Sequence, residues 1–358
     1  MKLAHALVLL SASVVSAPAA ADTFQVPGDF PSIQEAVDAA SDGDMVVVKR
    51  GRYAEHVVIA GFAGLTLMGK GKPIIDGEDL GTPLRITASS DVTVTGFVIE
   101  RSSEHGIFLF QCLDCVVTKC RVQDTSESGI VADDSDRITI SKNRLQDIGE
   151  DGIGLSDDQA VTSNDCLVEK NRILRPDDDG VDANGSGNTF QKNTVKDAGG
   201  DGFDTDSGSG NTFEKNKVFA CARSGFNLDS DTNRLVRNKV IKAGHDGIEI
   251  ELGGNHVERN IVVLPGENGI RLEEGDNHVE RNKVVKAHEH GIRFDGANNQ
   301  VEKNTVVKAT HDGFHLTSAG STLRNNKAVK SGELDLFVLL GPDSNDIDAS
   351  NKFKTTNL

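Results

Sequence analysis

The sequence contains no tryptophan, a single tyrosine and fewer basic residues than acidic ones, 38 against 55. Grooves that bind neutral sugars usually offer aromatic platforms, so the scarcity of such rings counts against one. The net charge of −17 argues against nucleic acid as a partner, because phosphate binding needs a basic face. After the N-terminus, no segment has the length and apolarity of a membrane span, so we expect none.

Cysteine is also scarce, with five residues at positions 112, 115, 120, 166 and 221. Cys112 and Cys115 form a CxxC motif, but a second pair at the spacing of a zinc site is missing. An odd number of cysteines leaves at least one thiol free or paired between chains. A local disulfide and a column of buried thiols both remain open for these residues.

The N-terminus begins MKLAHALVLLSASVVSAPAAADTF, in which Lys2 precedes an apolar run and small residues follow it. This pattern predicts a secretory signal peptide over residues 1–21, removed near Ala21. We therefore expect the mature protein to be secreted or periplasmic.

A repeat of 22 or 23 residues runs through most of the chain. One asparagine column comprises Asn171, Asn193, Asn216, Asn238, Asn260, Asn282, Asn304 and Asn326. A glycine column, each member followed by Ile, Val or Phe, comprises Gly106, Gly129, Gly152, Gly180, Gly202, Gly225, Gly247, Gly269, Gly291 and Gly313. Each repeat holds two or three short alternating strand signals and no room for an ordinary helix.

This period predicts an all-β, single-stranded parallel β-helix of about eleven coils, with strands stacked about 4.8 Å apart. Inward asparagines would pass hydrogen bonds from coil to coil. The glycines would occupy a turn that needs a positive φ or leaves no space for a side chain. The repeated residues are therefore scaffold, and function is expected where coils differ while facing the same way.

The N-terminal segment PSIQEAVDAA predicts a short helix that starts at Ser32 and caps the solenoid. Followed by GDMVVVKRGRYAEHVVI and β-coils, it resembles the start of pectin-lyase-like right-handed parallel β-helix repeat proteins. That resemblance covers nearly the whole mature chain and implies a right-handed fold, but the superfamily holds several enzyme classes and non-catalytic members. We divide the chain into a signal peptide (1–21), cap helix and first coil (22–68), β-helix repeats (69–332), and C-terminal cap and tail (333–358).

Two segments depart from the period. Extra residues near Gln159 to Asp165 predict a loop on one face, which in solenoids is often the binding face. After Glu333, the apolar residues should cover the last open coil, and the polar tail after Gly341 should be loose. These apolar residues are Leu334, Leu336, Val338, Leu339 and Leu340.

The second and fourth residues after each glycine are expected to point outward from one sheet. They form an acidic patch of Asp182, Asp204, Asp206, Asp229, Glu249 and Glu251, followed by a mixed stripe of Arg271, Glu273, Arg293, Asp295 and His315. Close like charges call for compensation, either by bound Ca²⁺ or by shared protons that raise a carboxyl pKa. A solvated polar face remains the alternative.

The residues before the glycines are often aspartates, for which backbone capping of a turn is one explanation. The segments RPDDDGVDANGSGN and GGDGFDTDSGSGN resemble the polygalacturonase coils that carry NTDGID and GDDCIAI. That resemblance places Asp179 on the last acid of the first motif and Asp201 on the second acid of the pair. Gly200 replaces the first acid of that pair, and Ser224 stands where the family has the histidine of its GHG motif.

Histidines concentrate near the C-terminal end, where His288, His290, His311 and His315 could approach one another across two coils. Such a cluster suggests a transition metal or a general base. A β-helix protein of the same superfamily assists copper loading of nitrous oxide reductase, which makes metal delivery one hypothesis.

We predict an exported protein that binds, and could cleave, an extended acidic polysaccharide along the outward strand face. A lyase or a glycoside hydrolase would fit, with catalytic candidates Asp179, Asp201, Asp204, Arg271, Arg293 and His315. Substrate contacts are expected from Asp182, Asn227, Glu249, Glu273 and Asp295, and a possible Ca²⁺ from Asp204, Asp206, Asp229 and Glu251. The alternatives are a non-catalytic Ca²⁺-binding surface or assembly protein and a periplasmic metal-handling accessory protein, and we expect a monomer.

Overall fold

A computed structural model describes residues 21–156, 162–341 and 344–358. The predicted signal peptide and the centre of the predicted insertion loop lie outside these ranges. The described chain is a parallel β-helix whose coils each contribute one short strand to each of three parallel sheets.

Sheet I has fifteen strands. Its strands are Thr23–Val26, Met45–Lys49, Thr66–Lys70, Thr93–Thr95, Val116–Thr118, Thr139–Ser141, Leu167–Glu169, Thr189–Gln191, Thr212–Glu214, Arg234–Val236, His256–Glu258, His278–Glu280, Gln300–Glu302, Thr322–Arg324 and Asp346–Ile347.

Sheet II has thirteen strands and carries the outward face selected from the sequence. Its strands are Val57–Ala60, Leu84–Thr87, Ile107–Phe110, Ile130–Asp133, Ile153–Gly154, Val181–Asp182, Phe203–Asp204, Phe226–Leu228, Ile248–Ile250, Ile270–Leu272, Ile292–Phe294, Phe314–Leu316 and Leu336–Val338.

Sheet III also has thirteen strands. Its strands are Arg52–Ala54, Ile74–Asp76, Val98–Ser102, Arg121–Thr125, Arg144–Ile148, Arg172–Pro176, Thr194–Lys196, Lys217–Phe219, Lys239–Ile241, Ile261–Val263, Lys283–Val285, Thr305–Val307 and Lys327–Val329.

The predicted architecture is confirmed, but the count of about eleven coils was too low, since two sheets have thirteen strands each. That count rested on the glycine column, which starts at Gly106. Two earlier coils, with strands Val57–Ala60 and Leu84–Thr87, pair in the same sheet without a glycine immediately before the strand.

The asparagine column is a continuous buried ladder, as predicted. The Asn282 backbone N–H donates to Oδ1 of Asn304 at 2.8 Å, and Nδ2 of Asn304 donates to the Val279 carbonyl at 2.8 Å. The same pattern recurs from coil to coil, so each turn's backbone groups are satisfied inside the solenoid.

The glycine column is explained by lack of space rather than by a positive φ. A Cβ on Gly269 would lie 2.2 Å from Cγ1 of Val284 and 2.4 Å from the Gly291 carbonyl oxygen. The backbone of each turn therefore lies directly against the core side chains of sheet III, and only glycine fits there.

Stacked apolar side chains fill the interior between the three sheets. Phe203 and Phe226 are fully buried with rings 4.9 Å apart, and Phe190 stacks on Phe213 at the same distance. All five cysteines are buried free thiols, so the buried-thiol alternative is confirmed over a local disulfide.

The N-terminal cap is the helix α1, Ile33–Ala39, and the described residues contain no helix long and apolar enough to cross a membrane. Ser32 is its N-cap and accepts a hydrogen bond from the Glu35 N–H, as the start signal predicted. Ile33, Ala36 and Val37 are buried against the first coils.

The C-terminal cap differs from the prediction. Leu336 and Val338 are buried, but Leu339 and Leu340 are 59% and 57% exposed and do not cover the last coil. The tail is not loose: Asp346–Ile347 joins sheet I, and the Phe353 ring lies 5.2 Å from that of Phe314. The tail thus covers core that the leucines leave open.

Candidate functional site

The outward face of sheet II carries the candidate side chains in two parallel columns. In the three-residue strands from Phe226 onward the first and third residues are buried and the second is half-buried on the outward face, as in Ile270, Arg271 and Leu272. The residue before each glycine forms the second column, at the edge of the sheet. Stacking at about 4.8 Å per coil brings chemically different residues into contact along the helix axis.

The centre of this face is a carboxylate cluster, defined as Asp151, Asp179, Asp182, Asp201 and Asp204. Asp182 and Asp204 are register partners in adjacent strands. The other three belong to the column before the glycines. The structure therefore brings together Asp179 and Asp201, selected from a motif resemblance, and Asp204, selected from the outward strand face.

The aspartates of the glycine-side column also cap backbone, as the turn chemistry predicted. Oδ1 of Asp179 accepts the Asp201 N–H at 2.5 Å, and Oδ1 of Asp201 accepts the Ser224 N–H at 2.5 Å. Asp151 accepts the Asp179 N–H at 3.0 Å in the same way. One oxygen of each carboxyl is thus committed to the scaffold.

Burial dominates the electrostatics of the carboxylate cluster. It raises the pKa of Asp151 to about 6, that of Asp179 to about 8, and those of Asp201 and Asp204 to about 7, with neighbouring carboxylates adding to the shift. Burial and the same neighbours place the pKa of Asp182 well above its ordinary value. Protonated and ionised carboxyls therefore coexist here near neutral pH.

Several polar atoms beside Asp182 and Asp204 lack partners among the described residues. They are Oδ1 of Asp182, Oδ1 of Asn227, Nδ2 of Asn184 and Oγ of Ser207. Asn227 uses its other side-chain atom, Nδ2, to donate to Oδ1 of Asp204 at 3.0 Å. Buried polar atoms without partners are costly, and a bound ligand or water would satisfy them.

The predicted calcium ligands are spread along this face. Asp206 is exposed, while Asp229 and Glu251 are half-buried neighbours one and two coils further on. Within the described chain, the groups of three residues whose ligand atoms lie within 4.8 Å of one another do not include them. The calcium site stays a prediction.

The next zone is an arginine stripe, defined as Arg271, Arg293, Glu249, Glu273 and Asp295. Arg271 contacts Glu249 at 3.1 Å, Glu273 at 2.8 Å and Asp295 at 3.5 Å. Arg293 contacts Asp295 at 3.0 Å. Three of the four acids predicted to touch substrate, Glu249, Glu273 and Asp295, are therefore ion-pair partners of the arginines predicted to act on it.

The C-terminal end carries a histidine cluster of His290, Asp312 and His315. Nδ1 of His315 lies 2.8 Å from Oδ2 of Asp312, and Nδ1 of His290 lies 3.4 Å from the same oxygen. Burial opposes ionisation of Asp312, but hydrogen bonds from His290 and His315 hold its pKa well below the usual range. The His290 ring also lies 5.4 Å from that of His311.

Sequence reasoning had His315 as a catalytic candidate but missed Asp312 as its partner. The signal was present: His290 and Asp312 occupy one column 22 residues apart, and His315 follows in the adjacent outward column. Of the four histidines expected to approach one another, His290 lies 5.4 Å from His311 and 4.1 Å from His315 between ring centroids, while the expectation for His288 stays a prediction.

A pair of stacked phenylalanines lies toward the N-terminal end of sheet II. Phe108 and Phe110 stack with centroids 6.2 Å apart, and the Arg85 guanidinium lies 4.8 Å from the Phe108 ring centroid. Phe108 is nearly buried and Phe110 is half-buried. These two rings therefore lie on the same outward face as the polar side chains.

Comparison with known proteins gives matches to two family models. A model described as periplasmic copper-binding protein (NosD) matches residues 37–220, and one described as right-handed beta helix region matches residues 167–284. The first match includes the whole carboxylate cluster and ends before the arginine stripe and the histidine cluster.

A curated relative is a cell surface glycoprotein of Methanothermus fervidus, 26% identical over 114 residues. The match covers 31% of this chain and 19% of the relative, so the chain spans a small part of that protein's length.

Solved structures share the fold at low identity. The Siphovirus 9NA tailspike receptor binding domain has a TM-score of 0.67 at 12% identity, covering 87% of this chain and 74% of its own. The A-module of the Azotobacter vinelandii mannuronan C-5 epimerase AlgE4 has a TM-score of 0.61 at 15% identity, and the match covers 92% of this chain and 95% of the A-module. The GH87 alpha-1,3-glucanase catalytic domain D1045A, in complex with nigerose, has a TM-score of 0.59 at 12% identity, and the match covers 96% of this chain and 70% of that domain.

These likenesses confirm a right-handed parallel β-helix of the pectin-lyase-like superfamily. Because the first family model matches more than half of the residues, the chain belongs to the NosD family, whose model is described as periplasmic copper-binding protein.

Proposed function

We propose that this protein acts outside the cytoplasm, where it binds an extended polysaccharide along sheet II and hydrolyses it at the carboxylate cluster. One observation carries the proposal: five aspartates lie close together on neighbouring coils, and burial raises the pKa of each of them. Glycoside hydrolysis needs a carboxylic acid for the leaving oxygen and a carboxylate for the other face of the sugar.

The environments of Asp182 and Asp204 assign their roles. Asp182 has an oxygen without a partner and the strongly raised pKa of a general acid. Asp204 accepts a hydrogen bond from Asn227, which favours its ionised form. Adjacent coils are about 4.8 Å apart, a spacing closer to that of retaining than of inverting glycosidases. Asp204 is therefore the proposed nucleophile, and Asp179 and Asp201 position the backbone beneath the pair.

The shape of the site suits a polymer. Sheet II offers a new outward side chain about every 4.8 Å along the axis, so successive sugars would meet successive coils. An acidic polymer would place uronate groups on the arginine stripe, where Arg293 has one carboxylate partner and Arg271 has three. A uronate therefore competes less with protein carboxylates at Arg293, which makes Arg293 the expected recognition residue.

The comparisons support the proposal at the level of fold and class. The structural neighbours include a mannuronan C-5 epimerase and an alpha-1,3-glucanase, so this architecture serves more than one kind of polysaccharide. The family description and the cell surface relative support a location in the periplasm or outside the cell. The family description also makes copper binding a property to test in this chain.

The test is an activity screen of the protein with mannuronan, alginate, pectate and alpha-1,3-glucan, followed by a reducing-end assay. We expect cleavage that Asp182→Asn and Asp204→Asn each reduce by at least about a hundredfold, with Glu251→Gln as the matched control on the same face. Intact binding with no cleavage would leave a binding protein. Ultraviolet-absorbing unsaturated ends that require Ca²⁺ would replace hydrolysis by β-elimination.

A further inference from the structure

The outer face of the C-terminal half of sheet III has a composition unlike the rest of this acidic chain. Six consecutive strands, each with the residue that follows it, read KVFA, KVIK, IVVL, KVVK, TVVK and KAVK, at residues 217–220, 239–242, 261–264, 283–286, 305–308 and 327–330. They contain eight lysines and no acidic residue, although acidic residues outnumber basic ones in the chain by 55 to 38. We call the outward surface of these segments the lysine-rimmed face.

An apolar stripe runs along the middle of the lysine-rimmed face. It consists of the third residue of each strand, which is half-buried: Phe219, Ile241, Val263, Val285, Val307 and Val329. These residues are register partners from strand to strand, so the stripe is continuous over about 24 Å, five steps of about 4.8 Å. The stripe begins at Phe219, since the preceding coil has Lys196 at this position.

Lysines border the stripe in two columns, about 10 Å apart across it. The first column comprises Lys217, Lys239, Lys283 and Lys327, and the second comprises Lys242, Lys286, Lys308 and Lys330. Lys239 is half-buried and the other seven are exposed. None of the eight has a carboxylate partner within the described part of the chain, whereas Lys196 on the preceding coil contacts Asp197 at 3.1 Å. Their charge is therefore available to a binding partner.

Local backbone preference does not explain the second lysine column. Its residues have a positive φ, 58° in Lys286, and the same position in earlier coils is filled by Asp124, Asp147 and Asp197, each at 57°. Aspartate adopts this conformation more readily than lysine does. The later coils thus replace the residue that suits the turn by one of opposite charge, which points to an anionic partner.

The centre of the lysine-rimmed face is apolar in both columns. Ile261 and Leu264 stand where neighbouring coils have lysines, and each is 40% exposed. A hydrated acidic polymer would gain little from these two aliphatic side chains. A second copy of the same face would bring lysines against lysines, which repel. An anionic bilayer surface suits both features, because aliphatic side chains enter the boundary between headgroups and acyl chains while lysines contact the headgroups.

We propose that the lysine-rimmed face docks the protein on the surface of a bilayer that contains anionic phospholipid. The insertion is shallow, because the apolar stripe is half-buried and only Ile261 and Leu264 protrude. The lysines supply most of the affinity, each contributing about fivefold near the surface. The face belongs to sheet III, so this docking goes beyond the proposed polysaccharide hydrolysis, which uses sheet II.

The test is co-sedimentation of the untagged exported protein, without the predicted signal peptide, with lipid vesicles. One set contains equal parts of phosphatidylglycerol and phosphatidylcholine, and the other contains phosphatidylcholine alone. We expect binding to the anionic vesicles, at least about tenfold weaker binding to the neutral ones, and loss of binding as salt rises. Lys242→Gln combined with Lys286→Gln should weaken binding at least about tenfold, and Ile261→Ser combined with Leu264→Ser at least about fivefold.

Lys119→Gln combined with Lys142→Gln is the matched control, because both lysines are exposed and belong to earlier coils. It changes the net charge equally and should bind like the parent. Equal weakening in the control and the test variants would reduce the effect to net charge and overturn the proposal, as would absence of binding by the parent. Binding that Ile261→Ser with Leu264→Ser leaves intact and that soluble pectate displaces would assign the face to an acidic polymer and also overturn it.

Melting temperatures of all variants show whether each is folded, and the substituted lysines are exposed, so we expect values close to that of the parent. Polysaccharide cleavage is measured on the same variants and should stay at the parental level, because none of the substituted residues lies on sheet II. Failure to bind vesicles with cleavage retained would overturn the docking alone. Vesicle binding without cleavage by the parent would contradict only the proposed hydrolysis.

Discussion

Burial of the individual aspartates in the carboxylate cluster lowers the stability of the folded protein when their carboxyls are ionised. Their folded-state pKa values lie between about 6 and about 8, above the value near 4 of an unfolded chain. A carboxyl with a raised pKa contributes stability below its unfolded pKa, and that contribution is lost as pH rises through the folded pKa. The carboxylate cluster therefore makes the folded protein more stable at mildly acidic pH than at pH 8.

We predict that Asp179→Asn raises the melting temperature at pH 8 by several degrees and has little effect at pH 5. Asparagine retains the Oδ1 that accepts the Asp201 N–H but carries no buried charge. Asp76→Asn is the opposite control, because contacts with Arg52 and Arg101 offset burial and lower the pKa of Asp76 to about 2. The Asp76→Asn variant should melt at a lower temperature at pH 8. A lower melting temperature in both Asp179→Asn and Asp76→Asn would contradict the electrostatic account. Scanning calorimetry across this pH range makes the comparison.

At the scale of the element, the asparagine ladder couples neighbouring coils more directly than the strands do. Each ladder asparagine binds two backbone groups of the preceding coil, as Asn282 accepts the Asn260 N–H and donates to the Val257 carbonyl. Nδ2 of Asn282 also donates to Oδ1 of Asn304 in the next coil at 3.0 Å. The strands of these coils are three residues long, so each strand alone contributes few hydrogen bonds.

We expect Asn282→Ala to lower the free energy of unfolding by about 2–4 kcal/mol, because it leaves buried backbone groups without partners. Lys283→Ala, one residue further and exposed, should change it little. Denaturant unfolding followed by circular dichroism measures both. Equal effects would mean that the ladder adds nothing beyond ordinary strand pairing.

At the scale of the whole molecule, a solenoid has two open ends and each must be covered. The helix α1 covers one end, and the returning tail covers the other through Phe353 and the pairing of Asp346–Ile347 with sheet I. Without the tail, the buried edge around Phe314 and Leu336 would be exposed to water or to another molecule.

We predict that Phe353→Ser lowers the melting temperature and increases binding of a hydrophobic dye and self-association. The cause is exposure of the last coil rather than loss of the interior packing. Lys354→Ala is the matched control, since Lys354 is exposed and only its backbone N–H contacts Asp335. Light scattering and calorimetry distinguish the two variants, and identical behaviour would show that the tail does not seal the end.

The sequence by itself determined the fold, because a period of 22 or 23 residues with inward asparagines and crowded glycines has one simple solution in space. It also determined which residues share a face, since alternation along a strand is a local property. Asp204 could be selected on those grounds, and Asp179 and Asp201 from a motif resemblance in the same coils.

Only the tertiary structure decided what those residues experience. The raised pKa of Asp182, the ion pairs that occupy Arg271 and the binding of His315 to Asp312 depend on contacts between coils and on burial. The number of coils and the role of the C-terminal tail could not be predicted from the sequence, because the first coils and the last residues lack the repeat that identified the other coils. Charge environment is set by distances of a few ångströms in three dimensions, and no one-dimensional spacing encodes them.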